Sequence, residues 1–372
     1  MTIITAPVPP DIPTRLMQQN SIFASRAHNA TILPIIHLWH HKHESFLHEV
    51  IDGLLAEQKF LPTKYLYDQH GSELFERITA LPEYYLTRSE QEILHLYADD
   101  IISHAHTKCW LVELGSGSGK KTRRLLQALQ EQYTNVEHHA SSEYSSVRYV
   151  PIDIAGEFLA ASAQAFQHDF PNILIHPICA EFMQGMEYIA QQRNAHAPNT
   201  QLLVYFPGST IGNLTHEEAR TFLRQLRSIL HLGDAFLLAT DIDTSSSGKP
   251  IDVLHYAYND QHDVTAAFNL NILHRINREL HATIPVEAYQ HCAYYNAALS
   301  RIEMYLESRY YHTFSVSTHT FSIAKGERIR TEYSHKFSDS LLQHMASQTG
   351  FIVKRSWYDT QRFFRLSWLS PC

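Results

Sequence analysis

Between residues 109 and 241, short apolar runs alternate with stretches whose apolar residues recur every three or four positions. CWLVEL leads through a Gly/Ser turn into a segment with Leu125, Leu126 and Leu129 on one side. VRYVPIDIA with the Ala-rich GEFLAASAQAF, NILIHPICAEF, QLLVYFPGSTIGN with THEEARTFLRQLRSIL, and DAFLLATDID continue the series. Strands alternating with helices predict βαβ units around a parallel sheet. Thr215 and Glu218 have the spacing of a capping box, which predicts a helix start there.

The alternation breaks between about residues 250 and 337. DVTAAFNLNILHRINREL reads as one long helix, and RIEMYLESRYY as a half-exposed strand with Ile302, Met304 and Leu306 on one face. SDSLLQHMASQTG, FIVKRSWYDT and RFFRLSWLS read as helix, strand and strand, completing the first sheet. The expectation is an α/β chain: a Rossmann-like sheet domain over 91–249 plus 338–372, and a smaller α+β domain over 44–90 plus 250–337. Residues 1–43 carry Pro7, Pro9, Pro10, Pro13 and Pro34 without a sustained period and read as a flexible arm that carries no chemistry.

Composition removes several classes of function. Lys and Arg number 30 against 38 Asp and Glu, a net charge of −8, and no basic stripe is present, so nucleic-acid binding is not expected. The 26 histidines make solubility sensitive to mild acid, with a minimum near the pI of 6.3. Cys109, Cys179, Cys292 and Cys372 are scattered and form no C-x-x-C pair, which fits a reducing, cytoplasmic setting. No run of about 18 apolar residues and no basic leader are visible, so neither membrane spanning nor secretion is expected. His37, His40, His41, His43 and His48 have spacings that could place metal ligands on one helical turn. A His-rich chain yields such clusters often and no Cys or carboxylate completes this one, so no metal is expected. A monomer is expected as well.

Glu113-Leu114-Gly115-Ser116-Gly117-Ser118-Gly119 ends a predicted strand and opens a helix, where small residues let the backbone approach a nucleotide. Asp153 closes the next strand, where a carboxylate can accept both hydroxyls of an adenosine ribose. Glu181 and Phe182 follow the next, an acid and an aromatic ring for an adenine edge and face. A dinucleotide fingerprint would require glycine at position 120, where Lys120 stands, so S-adenosylmethionine is favoured over a nicotinamide cofactor.

With these features the chain resembles the histidine-specific S-adenosylmethionine-dependent methyltransferases that make hercynine, the trimethylated betaine of histidine, on the route to ergothioneine. The resemblance covers almost everything after about residue 60. It rests on residues 67–94, VELGSGSGKKTRRLL (112–126), FPGSTIGNLT (206–215), DVTAAFNLNIL (263–273), RIEMYL (301–306) and TEYSHKF (331–337).

The resemblance implies a class I methyltransferase sheet, with the smaller domain binding the substrate L-histidine. It places the cofactor's amino-acid part against Gly115 and Lys121, its ribose against Asp153, and its adenine near Glu181 and Phe182. The family often has Asp where this chain has Glu181. Tyr67 and Asn213 would orient the reacting amine. Tyr84 and Tyr258 would hold the carboxylate, with Gly208 nearby and Phe75 as a wall. Glu332 and Ser334, with Met304 packing beside them, would recognise the ring. Elementary geometry agrees with the last pair: in an extended segment residues two apart share a face, so an acid and a hydroxyl can meet one imidazole. Rival readings are the same chemistry on another amino acid such as tryptophan, and a non-catalytic protein that retains the cofactor fold.

Overall fold

The computed structural model describes residues 34–38, 43–137 and 147–372. The chain enters through a short strand, β1 (Ile36–His37), and three helices, α1 (His43–Leu55), α2 (Gln69–Thr79) and α3 (Tyr85–Ser103). Strand and helix then alternate: β2 (Cys109–Leu114), α4 (Arg123–Glu137), β3 (Arg148–Asp153) and α5 (Gly156–Asp169) come first. Next are β4 (Leu174–Ile175), β5 (Ile178–Cys179), α6 (Phe182–His196), β6 (Gln201–Phe206), α7 (His216–Ile229) and β7 (Ala235–Asp241). Helices α8 (Thr244–Ser247), α9 (Ile251–Tyr258) and α10 (Val264–Leu280) lead to β8 (Tyr289–Asn296), β9 (Arg301–Ser308), β10 (His312–Val316), β11 (His319–Ile323) and β12 (Arg328–His335). The chain closes with α11 (Asp339–Gln348), β13 (Phe351–Tyr358) and β14 (Phe364–Pro371).

The main sheet runs β1-β5-β3-β2-β6-β7-β14-β13, with β4 beside β3. The pairings from β1 through β7 are parallel, and β14 is antiparallel to both β7 and β13. Every residue of β2, β6 and β7 is buried, as expected of strands covered on both faces. Alternation within β6 divides the core: Leu203 and Tyr205 join one hydrophobic cluster, Leu202, Val204 and Phe206 the other. The first cluster continues through Tyr258, Phe268 and Met304, so the smaller unit shares its core with one face of the sheet. The capping box forms as expected, Thr215 accepting from the Glu218 amide while the Glu218 carboxylate accepts from that of Thr215.

Four details depart from the pattern read along the chain. NILIHPICAEF is two short strands: Pro177 lacks an N–H for the ladder, and β4 and β5 pair with different parts of β3. Ile36 and His37, expected in a flexible arm, pair with Ile178 and Cys179, because a sheet edge offers unpaired backbone groups that even two residues can use. Strand β9 is buried on both faces; Glu303 is covered and accepts from Tyr294, Tyr305, Asn296 and Arg301. Finally, α3 runs unbroken through position 90, where a domain border is expected.

The smaller unit holds the antiparallel sheet β12-β9-β8 and the hairpin β10-β11. The register of β12 shifts between Arg330 and Glu332, a bulge that leaves Thr331 without a direct partner. Beyond it Glu332 lies opposite Met304 and Ser334 opposite Ile302, all four buried.

No helix among the described residues is long and apolar enough to cross a membrane. No group of three or more His, Cys, Asp or Glu among them could hold a metal ion. Of the histidine cluster, His40 and His41 lie outside the described residues.

Candidate active site

The site is built where strand order reverses, at the carboxyl ends of β2, β3, β5 and β6. After β2 the chain turns through Gly115, Gly117 and Gly119 at φ of 73, 50 and 61°, the region that favours glycine. Gly119 is also fixed by space: a Cβ there would lie 2.3 Å from the Phe166 ring. The acid that opens the motif does not face a ligand. Glu113 is buried and takes hydrogen bonds from the Thr122 hydroxyl (2.6 Å) and the Tyr149 phenol, tying the two ends of the loop together. Burial pushes its pKa up to about 7.

Asp153 accepts from the Gly117 and Ala155 amides at 3.0 Å each, one per oxygen, which leaves each oxygen a second lone pair for a ribose hydroxyl. The Phe182 ring lies 3.5 Å from where a Gly115 Cβ would stand. Beside it the buried Ser116 hydroxyl has no hydrogen-bond partner among the described residues. An open glycine backbone, an orphaned hydroxyl, an acid and an aromatic edge fit an adenosyl cofactor. Glu181 differs from expectation: it is exposed, and its carboxylate pairs with Lys64 at 3.2 Å rather than lying with Phe182.

Replacing Asp153 by alanine removes the carboxylate that would accept the two ribose hydroxyls. At about 1.5–3 kcal/mol for each charged hydrogen bond, the Kd for S-adenosylmethionine is expected to rise by at least about tenfold in calorimetry. An unaltered Kd would contradict the assignment.

Next to this crevice stands an aromatic chamber. Tyr67 meets Phe75 at 5.6 Å and Phe268 at 5.4 Å between ring centroids, Phe75 meets Tyr84 at 6.3 Å, and Tyr84 meets Tyr258 at 6.2 Å. Asp68 anchors Tyr67 by capping α2 through the Gly71 amide and accepting from Asn271 of α10, both at 2.7 Å. Asn213 ends a 3-10 turn over Thr210–Asn213 that rests on β12. A Cβ on Gly212 would be 2.7 Å from the His335 carbonyl oxygen, so glycine lets the turn approach. There the Asn213 amide reaches Glu332 at 3.5 Å.

Glu332 is buried, and desolvation pushes its pKa up to about 8 against the pull of Lys336. Burial also raises the pKa of Tyr67, Tyr84 and Tyr258 well above 10, and Glu332 acts on all three electrostatically, in the same direction. These phenols are donors, not bases. Tyr258, expected with Tyr84 at a carboxylate, is instead hydrogen-bonded at 2.7 Å to Ser334, the residue expected at the ring.

Three buried groups escaped the sequence reading. Glu90 of α3 accepts from the Tyr205 phenol (2.8 Å), the Gly208 amide (3.0 Å) and Lys121 (2.5 Å). Gly208 and Lys121, expected at ligands, thus share an internal carboxylate. Asp241 is held between Lys336 (2.7 Å), Lys249 and the Tyr85 phenol (2.6 Å). Burial alone would raise the Asp241 pKa, but the two ammonium groups hold it below the ordinary carboxylate range. Lys336 is the third; it reaches Ser334 at 2.8 Å. A helical-face reading could have found Glu90, which follows Leu86 by four positions and precedes Ile93 by three. Strand period could have found Lys336, two beyond Ser334.

A parallel sheet extended by a reversed β14, with a glycine loop and acid at successive strand ends, defines an S-adenosylmethionine-dependent methyltransferase of the Rossmann-like class I type. The match can be made narrower. The model of the family described as histidine-specific, SAM-dependent methyltransferase matches residues 46–371, and the chain belongs to that family. It is 37% identical over 327 residues to the histidine N-alpha-methyltransferase of Mycobacterium tuberculosis (strain CDC 1551 / Oshkosh), covering 87% of this chain and 94% of that protein. The Mycolicibacterium smegmatis protein of the same name is 36% identical over 326 residues, covering 87% and 94%. Ergothioneine biosynthesis protein 1 of Neurospora crassa is 31% identical over 227 residues, 61% of this chain and 24% of that longer protein.

Proposed function

We propose that the protein transfers methyl groups from S-adenosylmethionine to the α-amino nitrogen of L-histidine, three times in succession, giving hercynine for ergothioneine biosynthesis. The observation that carries this reading is the buried pair Glu332 and Ser334, side by side on β12 and facing an aromatic chamber beside the cofactor crevice. The names of the related proteins support it. In this division of labour, residues 44–90 with 250–337 hold the amino acid, residues 91–249 with 338–372 hold the cofactor, and α3 belongs to both.

When bound, the cofactor supplies a methyl group already activated on a sulfonium, so a C–N bond forms as the C–S bond breaks and the electron pair leaves on sulfur. The chain's own residues position and desolvate the amine. Tyr67 and Asn213 orient it and Tyr84 holds the carboxylate, while the single hydrogen of Tyr258 is taken up by Ser334. The phenols stay protonated, so the ammonium proton passes to water before attack rather than onto a tyrosine. The methylated ammonium carries one positive charge, made permanent at the third transfer, which the rings of Tyr67, Phe75 and Tyr84 accommodate. Met304 packs opposite Glu332. The smaller polar demand of an indole, with one N–H and no acceptor nitrogen, would leave a buried group of this pair unsatisfied.

Mass spectrometry of histidine, tryptophan and tyrosine incubated separately with enzyme and S-adenosylmethionine tests the reading. Histidine is expected to gain one, two and finally three methyl groups. Methylation of tryptophan in preference to histidine would overturn it.

A further inference from the structure

Lys336 follows directly after β12, its side chain fully buried. An ammonium has three N–H donors and no acceptor. Here all three have partners: Asp241 at 2.7 Å, the Ser334 hydroxyl at 2.8 Å and the Tyr258 phenol oxygen at 3.2 Å. Ser334 and Tyr258 are in turn 2.7 Å apart and share one hydrogen. A phenol is more acidic than an alkyl hydroxyl, so Tyr258 is the donor in that bond. Both lone pairs of the Ser334 oxygen are then filled, one by Lys336 and one by Tyr258. Its only remaining capacity is its own hydrogen.

We propose that Lys336 is a specificity-determining residue, which by filling a lone pair of Ser334 fixes that hydroxyl as a donor toward the ring nitrogen that carries no hydrogen. This rests on the histidine reading above. Glu332, beside it, offers a carboxyl oxygen that accepts the ring N–H whether or not the group holds its proton. The pair therefore presents one donor and one acceptor, the complement of a neutral imidazole, and the polarity of the donor is set from behind by a side chain that need not touch the substrate. Lys336 is a positioning group in this role, not a catalytic one.

The test compares L-histidine with its pyrrole analogue, which keeps a ring N–H and has carbon in place of the acceptor nitrogen. Unaltered enzyme should favour histidine by roughly 10- to 100-fold in kcat/KM, the cost of one buried donor left unpaired. In Lys336→Met, Ser334 regains a lone pair and can accept as well as donate, and the preference should fall to within about threefold. Asp241 keeps Lys249 as its ion-pair partner in that variant, so the buried carboxylate is not orphaned. Adding Lys336→Met to a Ser334→Ala background should leave the ratio unchanged, since the two act through one hydroxyl.

A structural role alone would lower both activities together and preserve the ratio; an undiminished ratio overturns the proposal. Should Lys336→Met not fold, Tyr258→Phe empties the other lone pair and is read by the same ratio, which must fall for the proposal to stand. Absence of histidine methylation by the unaltered enzyme overturns the functional reading and this one together, whereas a ratio that survives in the variants overturns this one alone.

Discussion

Replacing Glu332 and Ser334 together by alanine is expected to lower kcat/KM for histidine by on the order of 10² to 10⁴. Each substitution removes a buried partner of one ring nitrogen, and each unpaired buried group costs about 1–3 kcal/mol. The loss should appear mainly as a higher KM, because in the proposed reading these residues meet the ring and not the reacting nitrogen. The Kd for S-adenosylmethionine, measured by calorimetry, should stay within about twofold, since neither residue touches the glycine loop. Unchanged histidine kinetics would remove the ring-recognition role.

The same carboxyl also influences stability. Its pKa is raised by burial from 4.5 to about 8 in the folded chain. The folded state therefore binds this proton more tightly than the unfolded chain does. The resulting stabilisation is complete below about pH 4.5 and is lost as pH rises through about 8. Glu332→Gln has no such loss. Its melting temperature relative to the unaltered protein should climb between pH 5 and pH 9, even as histidine binding weakens. A difference that is flat with pH would contradict the buried, proton-holding state of Glu332.

Glu90→Ala is expected to produce the largest loss of stability of any single change at the site. The Glu90 side chain is fully buried and receives hydrogen bonds from a phenol, a backbone amide and an ammonium. Truncation leaves Tyr205, Gly208 and the mostly buried Lys121 without their acceptor, a situation that costs about 3–5 kcal/mol. In a chain of 372 residues that corresponds to a drop of about 4–6 °C in Tm. Cofactor affinity should fall too, because Lys121 and the turn at Gly208 are positioned through this carboxylate. Glu90→Gln keeps an acceptor oxygen and should recover part of the loss. A Tm within about 1 °C of the unaltered protein would show that these bonds contribute little.

Local patterns account for part of how the candidate site is assembled. The glycine loop, Asp153 and Phe182 follow predicted strands and meet in one crevice, because a parallel sheet brings successive strand ends to the same edge. Glu332 and Ser334 share a buried face because side chains two apart on a strand point the same way. Met304 and Ile302 do face the core, but the polar positions between them are covered as well, since β9 is the central strand of its sheet.

The sequence by itself determined the alternation of strands and helices and the cofactor loop, because each of these follows from periodicity or from a short contiguous motif, whereas the residues of the chamber came only through the family resemblance. Tertiary structure alone decided which charges neutralise one another. Glu90 meets Gly208 across 118 positions and Tyr85 meets Asp241 across 156. Folding brings these groups together from separate elements and removes them from water, and a buried polar atom is stable only beside a partner of the opposite kind. No local pattern carries that pairing, which depends on how the helix α3, the strand β7 and the end of β12 pack around one core.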